Sequence, residues 1–212
     1  MLYKITKLVD VTMKPNQLYA NDFDFGKKII IKEINRLLEK KSRVVVAIDG
    51  MAASGKTTMA KLLQEEFDAE VVHLDDYFLQ DYQRTETRLN EVGGNVDYER
   101  FFAEIVNPIL EEKDTITYNT YNCQTKRFKE VDLYLNKRVI IVEGAYALRE
   151  EFRDIYDLKV LITINSAKQI ERLEKRNAKL IDKFVNEWIP KEYEYIEKFR
   201  IRDYVNISVI IS

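Results

Sequence analysis

The chain has 212 residues, 34 of them Lys or Arg and 36 Asp or Glu, and 46% are hydrophobic. That length suits one α/β domain with at most a small insertion, and the apolar share is enough for a full core. A formal net charge of −2 gives no general reason to expect nucleic acid or an anionic membrane as a partner, and a single cysteine, Cys123, rules out an internal disulfide framework or a Cys-rich metal site.

The opening residues, MLYKITKLVD, lack the long apolar run of a secretory signal. No stretch approaches the roughly 18 apolar residues of a spanning helix. The expected location is the cytoplasm.

In chain order, residues 3–9 read as a short strand or extended arm. Residues 23–41 carry Phe25, Ile29, Ile30, Ile34, Leu37 and Leu38 at helical spacing. Val44 to Ile48 is an unbroken apolar run that suits a strand buried on both faces. A helix follows over 56–67, then a buried strand over 71–74. Residues 98–112 read as a helix and 116–121 as a strand. Buried strands follow at 139–142 and 160–164, helices at 167–177 and 182–199, and a closing strand at 207–211. This alternation predicts an α/β fold with a doubly wound, mostly parallel sheet and helices on both faces. Residues 1–42 read as an arm and helix packed on the core. Residues 43–212 read as the main domain, with an insertion near 76–130 and a short lid near 172–185.

Chemistry concentrates at the carboxyl ends of these strands, where ligands bind in such sheets. Gly50-Met51-Ala52-Ala53-Ser54-Gly55-Lys56-Thr57 fits the Walker A phosphate-loop (P-loop) pattern at every fixed position, between a buried strand and a helix. Its amides, including those of Ala53, Ser54 and Gly55, are suited to wrap a phosphate, and the helix N-terminus adds a positive end. Lys56 would reach the outer phosphates of ATP, and the Thr57 hydroxyl would ligate Mg²⁺. Thr58 is either a plain helix residue or a second phosphate contact.

Asp75 and Asp76 end the strand that follows. A carboxylate there can take the proton of an attacking hydroxyl; the alternative is a helix cap with a solvated neighbour. Glu143, followed by Gly144, ends the strand over 139–142 and is placed to hold Mg²⁺ with Thr57. Arg172, Lys175, Arg176, Lys179 and Lys183 make a basic stretch. It is either a solvated helix face or a lid, with Arg172 and Arg176 closing on the transferred phosphate. Asn95, Asp97, Tyr118, Tyr121 and Arg127 are pocket candidates in the insertion, each of which could equally be a surface residue. His73 reads as structural, Cys123 as a packed thiol, and Trp188, Tyr193, Tyr195 and Phe199 as packed helix residues.

The phosphate loop, Asp75-Asp76-Tyr77-Phe78, Asn95-Val96-Asp97, Tyr121-Asn122-Cys123, Val142-Glu143-Gly144 and Arg172-Leu173-Glu174-Lys175-Arg176 come in the order seen in uridine kinases. Over residues 43–200 the chain resembles the uridine kinase-like branch of P-loop kinases, which includes pantothenate kinase and phosphoribulokinase. The resemblance implies ATP and Mg²⁺ as cofactors and Asp75 as catalytic base. It implies Phe78, Asp97, Tyr121 and Arg127 around the acceptor, with Asp97 on a ribose and Tyr121 beside a nucleobase, and Arg172 and Arg176 in the lid. The chain departs from the pattern in its short lid, in Tyr98-Glu99 where His-Pro is usual, and in lacking a histidine after Tyr121. The implied partner is a small hydroxylated molecule, a nucleoside first. A vitamin or sugar phosphate, or a regulatory ATP-binding role, are the alternatives, and association into a homo-oligomer stays open.

Overall fold

A computed structural model describes residues 17–123 and 125–212; the strand expected at 3–9 lies outside them. The main sheet has six strands in the order β1-β8-β7-β2-β6-β3, and every pairing in it is parallel. These are β1 (Leu18–Ala20), β2 (Val44–Gly50), β3 (Glu70–His73), β6 (Val139–Glu143), β7 (Leu158–Ile164) and β8 (Ile207–Ile211). β4 (Thr115–Asn122) and β5 (Arg127–Tyr134) form a separate antiparallel hairpin.

The burial pattern explains which strands are central. Every residue of β2 and β6 is buried, as unbroken apolar runs require when helices cover both faces. β3, at one edge, is only partly buried. β1 is three residues long and caps the other edge against β8. It has no apolar run to betray it in the sequence.

The helix α1 (Phe23–Leu38) starts where the Asp22 side chain accepts a hydrogen bond from the Phe25 amide at 2.8 Å. It buries Gly26, Ile30 and Ile34. A Cβ at Gly26 would lie 2.8 Å from the Val209 side chain, so glycine permits the close packing of α1 on β8. α2 (Lys56–Phe67) begins at the phosphate loop and buries Met59, Ala60 and Leu63.

Short helices α3 (Glu86–Asn90) and α4 (Tyr98–Phe101) follow. The helix expected over 98–112 is interrupted. A π-helical turn over Phe102–Val106 separates α4 from α5 (Asn107–Leu110), with Pro108 in the first turn of α5. After β7, α6 (Ser166–Asn177) leads through a 3₁₀ turn to α7 (Ile181–Lys183), a second π turn over Phe184–Trp188, and α8 (Ile189–Lys198). Among the described residues no helix is long and apolar enough to cross a membrane.

The turn after β2 is the tightest point of the sheet. Gly50 has φ +148, and a Cβ there would fall 1.9 Å from the Ile162 carbonyl oxygen of β7. Neither the backbone conformation nor the neighbouring strand accepts a side chain. Gly50→Ala is expected to lose at least ~3 kcal/mol of stability. Urea denaturation checks this, and a midpoint equal to that of the wild type would show the turn to be unconstrained.

Candidate active site

The site is assembled at the carboxyl ends of β2, β3 and β6, which lie side by side. Register pairs Ile48 with Glu143, and Glu143 with His73. Loops leaving these three strands therefore open into one cleft.

The phosphate loop spans residues 50–55 and delivers Lys56 as the first residue of α2. Gly55 caps the helix in the left-handed region, at φ 101, and Ala53 is also left-handed at φ 58. The Lys56 ammonium folds back to donate to the Met51 carbonyl at 3.0 Å, spanning the crown of the loop. Thr57 and Thr58 are exposed in the first turn, and the Ser54 hydroxyl is buried with no partner.

A buried carboxylate underpins this loop. Asp49, 1% exposed, accepts from the amides of Gly50 (2.6 Å), Tyr146 (3.0 Å) and Leu148 (2.9 Å), and from the Tyr195 hydroxyl (2.8 Å). Burial raises its pKa, while these donors and Lys56 oppose the rise. Three of the four partners are backbone amides, which can only donate, so Asp49 serves them as an acceptor. Sequence reading missed Asp49 because it reads as the last residue before a glycine turn. The signal was an acid at the end of a wholly apolar run.

Glu143 accepts from the Thr57 hydroxyl at 3.1 Å and meets His73 Nδ1 at 2.7 Å, both through Oε1. His73 stands at the strand end bonded to Glu143, and its side chain is 43% exposed and not enclosed in the core. The bond to Glu143 raises its pKa, against the effect of burial. The oxygen pair of Thr57 and Glu143 fits a hard cation such as Mg²⁺. Among the described residues no group of three or more His, Cys, Asp or Glu could hold a metal unaided.

Asp75 lies exposed in the 3₁₀ turn Leu74–Tyr77 beyond β3. Crowding by the cleft walls raises its pKa; Lys56 and Arg176 oppose the rise, and Glu143 adds to it. The loop lysine, the lid arginine and the acid are therefore within electrostatic reach of one another. Asp76 points elsewhere and accepts from the Tyr118 hydroxyl at 3.3 Å, while Arg100 donates to its carbonyl at 2.9 Å.

Arg172 is half-buried and donates to the Ala53 carbonyl at 2.9 Å, and Arg176 is exposed at the end of α6. The other insertion residues are spread out. Phe78 is half-buried and bridges to Val96. Tyr121 is buried against Phe128, with ring centroids 5.1 Å apart. Arg127 is exposed at the start of β5. Asp97 caps α4 through a 3.0 Å bond from the Arg100 amide and accepts from Gln83 at 2.7 Å. It borders a cavity of about 410 Å³ with Leu79, Gln83, Thr85, Arg88 and Glu99. Cys123 is exposed at the hairpin tip and not packed; partial burial nevertheless raises its pKa, so it is no activated thiolate.

Fold and loop together define the architecture of a P-loop kinase, and the particular likeness is to uridine kinases. The chain is 29% identical over 178 residues to a uridine kinase of Anoxybacillus flavithermus, covering 74% of this chain and 82% of that one. It is 28% identical over 167 residues to uridine-cytidine kinase D of Dictyostelium discoideum, covering 74% of this chain but only 31% of that much longer protein. A solved structure described as a "possible uridine kinase" from Bacillus stearothermophilus superposes with a TM-score of 0.67 at 22% identity, covering 89% of this chain and 98% of that one. No protein-family model matches the sequence.

The Asp49 network yields an ordered pair of outcomes. Asp49→Asn places an amide donor among four donors and is expected to cost about 2–4 kcal/mol. Tyr195→Phe removes one donor of four and should cost about 1–2 kcal/mol. Chemical denaturation of both variants checks the order; equal or reversed losses would contradict the network.

Proposed function

We propose that the protein transfers the γ-phosphoryl group of ATP to a hydroxyl of a small molecule, with the 5′-hydroxyl of a nucleoside such as uridine or cytidine as the first candidate. The observation that carries this reading is Asp75. It is an exposed acid on the turn after β3, within electrostatic reach of Lys56, Glu143 and Arg176. A hydrolytic switch has no need of a base on the acceptor side, whereas an alcohol acceptor does.

In this reading the amides of residues 53–57 and the Lys56 ammonium hold the phosphates and offset the charge that develops on transfer. Asp75 accepts the proton of the attacking hydroxyl. Arg172 and Arg176 stand on the lid side to meet the transferred group. Thr57 and Glu143 would hold Mg²⁺, which when bound neutralises phosphate charge. ATP supply argues for a cytoplasmic location.

One observation favours a second acceptor class. Asp97, the implied ribose contact, already serves the α4 cap and Gln83 with its two oxygens. A vitamin or sugar phosphate would not require it. ADP release from Mg-ATP across uridine, cytidine, other nucleosides, pantothenate, nicotinamide riboside and ribulose 5-phosphate separates the two readings. No acceptor-dependent release, with ATP still bound, would point to a regulatory nucleotide-binding role.

Asp75→Asn is expected to lower turnover by about 10²–10⁴-fold while leaving ATP affinity nearly unchanged. A general base must be ionised, and the pKa of Asp75 is raised. Activity should therefore fall with decreasing pH at values above the ordinary aspartate range of about 3.9. Near-full activity in the variant would remove Asp75 from the base role.

A further inference from the structure

The phosphate loop is gripped from the lid side at three consecutive peptide groups. The Ala52 amide donates to both carboxylate oxygens of Glu192, at 3.0 and 2.9 Å. The Ala52 carbonyl accepts from Gln169 at 3.0 Å, and the Ala53 carbonyl accepts from Arg172 at 2.9 Å. Gln169 and Arg172 lie on α6, where the lid segment begins, and Glu192 lies on α8, after it. Both arms of the lid therefore end on the same two alanines.

Packing repeats the connection. Leu173, Phe184 and Ile189 form a small apolar cluster apart from the main core, and Ala52, Ala53 and Trp188 pack against it. Ala53 has φ 58, a conformation that costs an L-residue about 1–2 kcal/mol. The clamped carbonyls on either side of Ala53 hold it there. Glu192 is buried, with 7% of its surface exposed, and reaches the loop across 140 residues of sequence.

We propose that Glu192 is a positioning residue for nucleotide binding. With Gln169 and Arg172 it forms a clasp that couples the lid arms to the conformation of the phosphate loop. This rests on the reading of the cleft as an ATP site.

The charge on Glu192 gives the clasp a signature that simple packing lacks. Burial pushes its pKa up to about 7, partly offset by Lys56 and the Ala52 amide, while Asp49 and Asp75 add to the rise. Tyr146 faces it from beyond β6, and Arg172 holds the adjoining carbonyl from α6. A triphosphate entering the loop brings further negative charge near this carboxylate and raises its pKa again. Binding should then take up a proton, and affinity should fall as pH rises through neutrality.

The test uses Trp188, the single tryptophan of the chain, as a reporter of the lid cluster. Mg-ADP and Mg-ATP are titrated into the intact protein between pH 6 and 8, with binding followed by calorimetry and Trp188 fluorescence. Nucleotide should change the fluorescence of the wild type, and its affinity should fall several-fold across this range. Glu192→Gln keeps an acceptor for the Ala52 amide but loses the charge; its affinity should vary with pH only as the nucleotide's own titration does. Glu192→Ala, with the amide unpaired, should bind about tenfold more weakly at every pH. Gln169→Leu keeps the fold volume and should weaken binding in the same direction. Wild-type affinity in both Glu192→Ala and Gln169→Leu, or identical pH profiles for the wild type and Glu192→Gln, would overturn the clasp while leaving the ATP site standing. No nucleotide binding by the wild type would overturn both.

Discussion

The structure turns on one buried carboxylate. Asp49 sits at the end of the central strand, one residue before the chain bends into the phosphate loop, and four donors from three parts of the chain close on it. Gly50 belongs to the loop, Tyr146 and Leu148 to the segment after β6, and Tyr195 to α8. A buried charge is tolerated only when it is fully hydrogen-bonded, so each donor is held in place by the cost of leaving the others unmatched. The orientation of the loop, the placement of Glu143 and the docking of α8 are thereby one constraint. Glu192, three residues from Tyr195 on the same helix, inherits its position from that docking.

The cleft separates two chemical regions. On one side are backbone amides, Lys56 and the Thr57–Glu143 pair, groups suited to phosphate and a hard cation. On the other is Asp75, an exposed acid on the turn after β3. The first region is built on the ends of central strands, whereas the insertion carries a hairpin that pairs only with itself.

The same division governs what could be recognised beforehand. Local rules govern β2, α2, β6 and β8: apolar runs, with a glycine turn at the end of β2 and after β6, or helical spacing that begins at a phosphate-binding loop. Residues 56–67 and 207–211 were bounded correctly for that reason. The helix expected over 98–112 failed in its interior, since a π turn is set by tertiary packing and leaves no periodic trace. β1 was missed because its strand character comes from pairing with β8 and not from its own three residues.

The sequence alone determined the parallel α/β plan, the phosphate loop and the carboxylates at strand ends, because each is a short-range pattern whose meaning depends only on neighbouring residues. Tertiary structure alone decided which acids are tied into hydrogen-bond networks and which stay exposed. Asp49, Asp97 and Glu192 are acids of the same kind as Asp75 in the sequence, but only packing surrounds Asp49 with four donors, gives Asp97 to a helix cap and a glutamine, and seats Glu192 on the Ala52 amide. His73 likewise meets Glu143, 70 residues away, only because parallel register brings the two side by side. Charge, burial and hydrogen-bond partner are properties of a place in the fold, and residues distant along the chain create that place.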